Sequence, residues 1–341
     1  MLADTAGHPL VIGHRGASGY RPEHTRAAYE LAFALGAEAV EPDLVATRDG
    51  VLVLRHENEI SGTTDVASRP EFAGRRTTRE IDGAQLTGWF TEDFTWAELA
   101  SLRATERLGA LRQASTSFDG RFPLLRFRDL LQLVEETAAA QDRLLRIVAE
   151  FKHASHFARI GLPLDELFAA ELEAAGWGRG DARLILESFE PTILDRLADR
   201  GVRGARVFLI EESGAPWDLV LRDGAAAVSY DDAVTEAGLM RLAGRFDGVS
   251  VSKSRLVGAA RRRGPLHGAD LVDAAHSAGL GVYTWTLRPE NRFLTPAFRR
   301  GSARAHWGDW LGEFRAVIET GVDGIFVDQP DLGIEARGER D

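Results

Sequence analysis

A chain of 341 residues with 44% hydrophobic and 27% charged residues has an ordinary globular composition, which excludes a disordered or collagen-like chain and allows one barrel domain with an insertion or two average domains. The net charge of −11, with arginines interspersed among acids rather than gathered in blocks, excludes a nucleic-acid footprint and means that an anionic substrate needs local positive charge. The absence of cysteine excludes disulfides, thiolate metal sites and cysteine nucleophiles.

The opening Met-Leu-Ala-Asp-Thr-Ala-Gly-His-Pro has no basic region followed by an apolar stretch. No signal peptide is visible, and a cytoplasmic location is expected, although a trimmed secreted chain would read identically. No apolar run approaches the roughly 20 residues needed to cross a bilayer, so no integral membrane segment is expected.

The first strand-like run covers residues 10–13. A helical pattern follows over 25–35, which Pro22 and Thr25 can start and Gly36 can end, and a second strand covers 39–44. This alternation is that of βα units and implies a parallel sheet. From Gly62 to about Arg121 the rhythm breaks, and glycines, threonines, arginines and acids surround Trp89, Phe90, Phe94 and Trp96. Residues 62–121 read as an insertion, compact rather than disordered, within a single domain spanning 1–341. The alternation resumes near Phe127, with strand candidates at 144–151, 183–188, 205–210, 226–229, 248–252, 282–287 and 324–327. With uncertain ones merged the number is close to eight, and no dinucleotide glycine fingerprint follows the first strand. The expected fold is an α/β closed (β/α)8 barrel.

Barrel enzymes place their reacting groups at the C-terminal ends of the strands. His14 and Arg15 follow the first strand directly, and His56 follows the apolar run 51–54. Glu41 and Asp43, at i and i+2, project to the same side of the second strand. Two carboxylates so placed repel one another, and a hard divalent cation relieves that repulsion. Glu150 and Lys152 share a face at the end of another strand. Three carboxylates, two imidazoles, an arginine and a lysine suit a phosphate ester: cations offset its charge and histidines move protons.

These residues lie in a longer ordered series: His14-Arg15-Gly16-Ala17-Ser18-Gly19-Tyr20, Pro22-Glu23-His24-Thr25, Glu41-Pro42-Asp43-Leu44, Thr47-Arg48-Asp49-Gly50, His56 with Thr63-Thr64-Asp65, Glu150-Phe151-Lys152, Tyr283-Thr284-Trp285-Thr286 and Gly321-Val322-Asp323-Gly324-Ile325. In this series the chain resembles the glycerophosphodiester phosphodiesterases, in particular the longer bacterial type with an insertion after the second catalytic histidine. The resemblance implies that a small-molecule glycerophosphodiester is hydrolysed to glycerol 3-phosphate and an alcohol. It also implies that His14 and His56 are the general acid and base, that Glu41, Asp43 and Glu150 bind Ca²⁺ or Mg²⁺, and that Arg15 and Lys152 contact the phosphate. Two departures are Glu57, where the family often has Asp, and Pro42 between the first two ligands. Neither removes a ligand or an acid–base group.

Phe189 resembles the family's apolar contact to glycerol, and Trp285 is expected to line the pocket with Tyr283 on the same face. Lys152 and Lys253 are the only lysines; Lys253 reads as either a phosphate or leaving-group contact or a charge on the barrel rim. The remaining histidines read as structural or solvated, His24 as an organiser of its loop. Two other readings are a lysophospholipase D-like enzyme approaching lipid through the aromatic insertion, and a non-catalytic barrel that binds phosphorylated ligands.

Overall fold

A computed structural model describes residues 8–258 and 265–338; the opening residues 1–7, on which the reading of the N-terminus rests, lie outside it. The barrel strands are β1 (Leu10–His14), β2 (Ala39–Glu41 continued by Asp43–Ala46), β3 (Arg146–Phe151), β4 (Leu184–Ser188), β5 (Ala205–Ile210), β6 (Gly248–Ser252), β7 (Gly281–Leu287) and β8 (Gly324–Val327). Neighbours pair in parallel around the ring and β8 returns to pair with β1, which closes an eight-stranded barrel with helices between the strands. Pro42 has no N–H for the ladder, but its carbonyl accepts from the Glu150 N–H at 3.0 Å, so β2 runs on past it.

The strands bury both faces, as a parallel barrel under a coat of helices requires. Leu10, Ile12, Ala39, Val148, Ile185, Val207, Tyr283 and Phe326 fill the barrel interior. Tyr283 is therefore not beside Trp285 on the pocket wall, as the sequence suggested, but one layer below it, in the plug. Its ring needs Gly324: a Cβ there would lie 2.4 Å from the Tyr283 ring.

Residues 226–229, expected as a strand, are not one. Gly224, at φ +60, opens a 3₁₀ turn over Gly224–Ala226, and Ser229 caps the short helix Tyr230–Ala233 through a capping box with Asp232. The cap chemistry outweighs four apolar or small residues, and Val228 remains 48% exposed.

Between β2 and β3 the chain first doubles back. The turn Thr47 to Gly50 returns the strand Leu52–Leu54 antiparallel onto Asp43–Ala46, and the Arg55 N–H then donates to the Asp43 carbonyl at 3.1 Å. That hairpin delivers His56 to the mouth of the barrel. Residues 62–121 continue as 3₁₀ turns, the hairpin Thr77–Ile81 with Ala84–Gly88, and the short helices Trp96–Leu99 and Gln113–Thr116. Phe72, Trp89 and Phe94 join the same apolar cluster as the barrel's helices. Arginines lie over the aromatic rings: Arg75 is 4.8 Å from the Phe94 centroid, Arg79 5.3 Å from Phe90 and Arg126 5.1 Å from Trp96. Phe72, Trp89, Phe90 and Phe94 are thus buried, and Trp96 is half-buried beneath Arg126. Among the described residues no helix is long and apolar enough to cross a membrane.

Candidate active site

At the C-terminal end of the barrel a cavity of about 490 Å³ is walled by His14, Arg15, Glu41, His56, Glu150 and Lys152 together with Glu187, Phe189 and Trp285. Strand register explains the acidic wall. Asp43 of β2 is paired with Glu150 of β3, which is paired in turn with Glu187 of β4, while His14 of β1 is paired with Glu41. Side chains at equal height on adjacent parallel strands point the same way, so the ladder gathers these groups.

Arg15 adopts the left-handed region at φ 59, a conformation that costs a non-glycine residue about 1 kcal/mol and is held by its surroundings. The turn lets its N–H donate to Glu41 Oε2 at 2.9 Å, while Nε lies 3.1 Å from Asp43 Oδ2 and Nη1 donates to Glu23 at 3.1 Å. Next to it Gly16, at φ +86, allows close approach of the helix Arg26–Ala34: a Cβ there would lie 2.6 Å from the Ala28 backbone. Lys152 Nζ donates to Glu150 at 2.6 Å and lies 3.6 Å from Asp43 Oδ1.

The acids carry opposite perturbations. Burial, reinforced by Asp43 and Glu150, pushes Glu41 well above the usual carboxylate range, and burial with Glu150 does the same for Glu187. Glu150 is raised to about 8 by burial, which Lys152 partly offsets. For Asp43 burial is outweighed by Lys152 and Arg15, and it is held well below the usual range. Glu41, Glu150 and Glu187 bring carboxylate oxygens within 4.8 Å of one another and are able to hold a metal ion. Buried oxygens of Glu41, Glu187 and Asp43 have no hydrogen-bond donor, as expected of oxygens that face a cation rather than an N–H. The residues present fit a divalent ion.

His14 Nδ1 lies 2.6 Å from Asp328 Oδ1, and His56 Nδ1 lies 2.5 Å from Glu57 Oε1. An ionised carboxylate only accepts, which puts the proton on Nδ1 and leaves Nε2 free. Burial, with the charge of Arg15, lowers His14 to about 4 against the pull of Asp328. His56 is lowered by burial and by Arg15 and Lys152, but 29% of its side chain remains exposed, so it is the more solvated of the two.

The Phe189 and Trp285 rings meet edge to face at 5.7 Å on the cavity wall. Lys253, just past the end of β6, does not line the cavity and is not an exposed rim charge: it is buried and paired with Glu313 of the helix Trp310–Ile318, because an unpaired ammonium at that depth would not stay charged. His24, read as a loop organiser, is fully buried and bonds Asp43 Oδ2 at 2.8 Å and the Tyr29 hydroxyl at 2.8 Å. It fixes one carboxylate oxygen of the acidic wall. His153 and His156 instead hold the insertion, through Asp82 at 2.6 Å and Glu92 at 2.8 Å.

Glu187, Asp328, Arg107, Arg112 and Arg288 also belong to the site and are not among the residues expected from the sequence. Glu187 and Asp328 sit at or just past the ends of β4 and β8, and the strand-end rule that singled out His14 applies to them equally. The arginines carry no such signal.

A family model described as "Glycerophosphoryl diester phosphodiesterase family" matches residues 14–332. The chain belongs to that family. As a member it is an enzyme, a phosphodiesterase for glycerophosphodiesters. It is 29% identical over 333 residues to a glycerophosphodiester phosphodiesterase of Arabidopsis thaliana, covering 94% of this chain and 83% of that one. It is 24% identical to the glycerophosphodiester phosphodiesterase of Treponema pallidum, covering 99% and 94%. Among solved structures, a glycerophosphoryl diester phosphodiesterase from Silicibacter pomeroyi superimposes with a TM-score of 0.67 at 22% identity, over 98% and 95% of the two chains. A phosphodiesterase from Oleispira antarctica, in complex with its product sn-glycerol-3-phosphate, superimposes with a TM-score of 0.62 at 18% identity, over 96% of each. These two likenesses establish the shared barrel.

Proposed function

We propose that this cavity hydrolyses small glycerophosphodiesters to sn-glycerol 3-phosphate and an alcohol with a divalent metal, Ca²⁺ or Mg²⁺, and with His14 and His56 as the acid–base pair. The observation that carries the reading is the pair of imidazoles on one cavity, each with Nδ1 on a carboxylate and Nε2 free, beside an acidic cluster and two fixed cations. The product bound by the Oleispira antarctica relative supports the glycerol phosphate half of the substrate.

Glu41, Asp43 and Glu150 would hold the metal, with Glu187 completing the acidic wall. When bound, the metal supplies positive charge that neutralises the phosphoryl oxygens and the acids around them. Arg15 and Lys152 pair with the phosphodiester and stabilise the charge that grows on its oxygens in the transition state. One histidine accepts the proton of the attacking oxygen as it bonds to phosphorus. The other, carrying a second proton on Nε2 when the anionic diester is bound, gives that proton to the alcohol oxygen as the phosphorus–oxygen bond breaks, and exchange with solvent restores both. The attacking oxygen belongs to water or to the glycerol 2-hydroxyl, the latter giving a cyclic phosphate that water opens in a second step. Phe189 and Trp285 offer the carbon face of glycerol an apolar wall.

The test is release of sn-glycerol 3-phosphate from glycerophosphocholine by the purified protein with Ca²⁺ or Mg²⁺. Wild type is expected to be active, EDTA to abolish turnover, and His14→Ala to reduce kcat by about 10²- to 10⁴-fold. A His14→Ala protein as active as wild type would refute the acid–base assignment.

A further inference from the structure

Residues 107–112 lie in no strand and no catalytic motif, yet two arginines of this segment end on the two carboxylates that hold the two histidines. Arg107 donates through Nη1 and Nη2 to the Glu57 oxygens at 3.0 and 2.7 Å, and Glu57 holds His56. Arg112 donates through Nη2 to Asp328 Oδ2 at 2.6 Å, and the other oxygen of Asp328 holds His14. Both arginines are fixed from behind. Arg107 also bonds Glu23 at 2.7 and 2.8 Å, and Glu23 in turn accepts from Arg15. Arg112 bonds Glu290 at 2.7 Å and the Ser18 carbonyl at 3.1 Å.

A carboxylate bound to an imidazole through one oxygen can still rotate and, when buried, is costly to keep charged. A guanidinium on its second oxygen opposes both freedoms: it holds the carboxylate, through a two-pronged fork at Glu57 and a single N–H at Asp328, and its charge offsets the burial. The imidazole then has one orientation and one tautomer. Asp328 is held in this way twice, since Arg288 Nε also donates to Oδ2 at 2.6 Å. His14 and His56 thus depend on a common segment six residues long, although they sit on different barrel elements.

We propose that Arg107 and Arg112 are positioning residues, through which the inserted segment sets both histidines of the acid–base pair. The proposal rests on the reading that His14 and His56 transfer the protons. The competing role is a staple that merely fastens the insertion to the barrel. A staple changes the melting temperature, but it does not change turnover below it.

Arg112 gives the cleaner test, because it is buried and absent from the cavity wall and so has no path to substrate. Arg112→Gln, Arg112→Lys, Asp328→Asn and the double variant Arg112→Gln/Asp328→Asn are assayed as metal-loaded full-length proteins below their melting temperatures. Arg112→Gln is expected to lower kcat by about 10- to 100-fold, the range for outer partners of reacting groups, with KM within about two-fold. Arg112→Lys keeps the buried charge, supplies a folded comparison, and should fall between the two. In the Asp328→Asn background the Arg112 change should cost less than about a further two-fold, since residues that act through one another are not additive. Wild-type kcat in Arg112→Gln, or full multiplication of the two single effects, would overturn the proposal. On the opposite wall, Arg107→Gln should lower kcat with KM retained, whereas a rise in KM alone would assign Arg107 to substrate and not to His56. His14→Ala in the same series separates the two readings. If it too is fully active, the acid–base assignment fails; if it is inactive while Arg112→Gln turns over normally, only the positioning role fails.

Discussion

Glu41, Glu150 and Glu187 line the cavity because a hydrogen-bond ladder fixes their height on β2, β3 and β4, whereas Arg107 and Arg112 are tied to the site from an irregular segment through the acids they meet. The two regions contribute to one site under different constraints. A ladder position survives loss of its side chain, because the backbone that sets it is unchanged. An irregular segment has no such scaffold, and its geometry is only as good as its ion pairs. Substitution on the strands should therefore remove one chemical function cleanly, while substitution in the insertion should spread to the groups on which it rests.

The largest effect that sharpens this contrast is expected of Glu150→Gln. It removes a charge from the centre of the acidic row while keeping the shape, and should lower activity by on the order of 10³-fold through loss of the metal. Isothermal titration with Ca²⁺ or Mg²⁺ checks it, and a variant that binds metal as wild type does would show that the cluster is not the metal site.

A smaller effect comes from pH. Glu150 is raised to about 8 by burial, so the metal-free fold retains a proton that the unfolded chain has already released near pH 4.5, and it loses stability as pH climbs from there to about 8. His14 acts in the opposite window. Lowered to about 4 by burial, it stays neutral in the fold while the unfolded chain takes up a proton near pH 6.5, so stability falls as pH drops from there toward 4. A divalent ion relieves the first loss and not the second. The rise in melting temperature produced by metal over EDTA should then be greater at pH 8 than at pH 5.5, and equal gains at the two values would contradict it.

The smallest effect belongs to the apolar wall. Trp285→Ala should raise KM for glycerophosphocholine by about ten-fold, the equivalent of removing an aromatic contact of roughly 1.4 kcal/mol, with kcat little changed. A fall in kcat at constant KM would mean that Trp285 serves the reacting groups instead.

The barrel was legible because its signals are periodic. Apolar runs alternating with helical stripes gave all eight barrel strands close to their observed limits, with one false candidate at 226–229, and the pair Glu41 and Asp43 followed from a period of two. Tyr283 and Trp285 show where the same rule stops: both point inward, but depth along the strand separates a plug residue from a cavity residue, and periodicity carries no depth. Residues 226–229 misled because four small or apolar residues look like a strand until the cap formed by Ser229 and Asp232 is weighed. Lys253 was singled out for its rarity, and rarity does not reveal that Glu313, 60 positions away, is its partner. Arg107 and Arg112 were hidden for the same physical reason. Their partners are fixed by tertiary packing, and nothing in a run of arginines and acids says which pairs will meet.

The bond between His14 and Asp328 spans 314 positions, and it joins the first strand of the barrel to the residue just past the last. A ribosome that has made β1 through β7 has therefore made nearly every group of the cavity but no held His14, and the gap between β7 and β1 is still open. The ring and the support of His14 are completed together by the final strand. A chain ended before β8 lacks the acid that orients His14 and the strand that shuts the ring, and it is left with two unpaired strand edges.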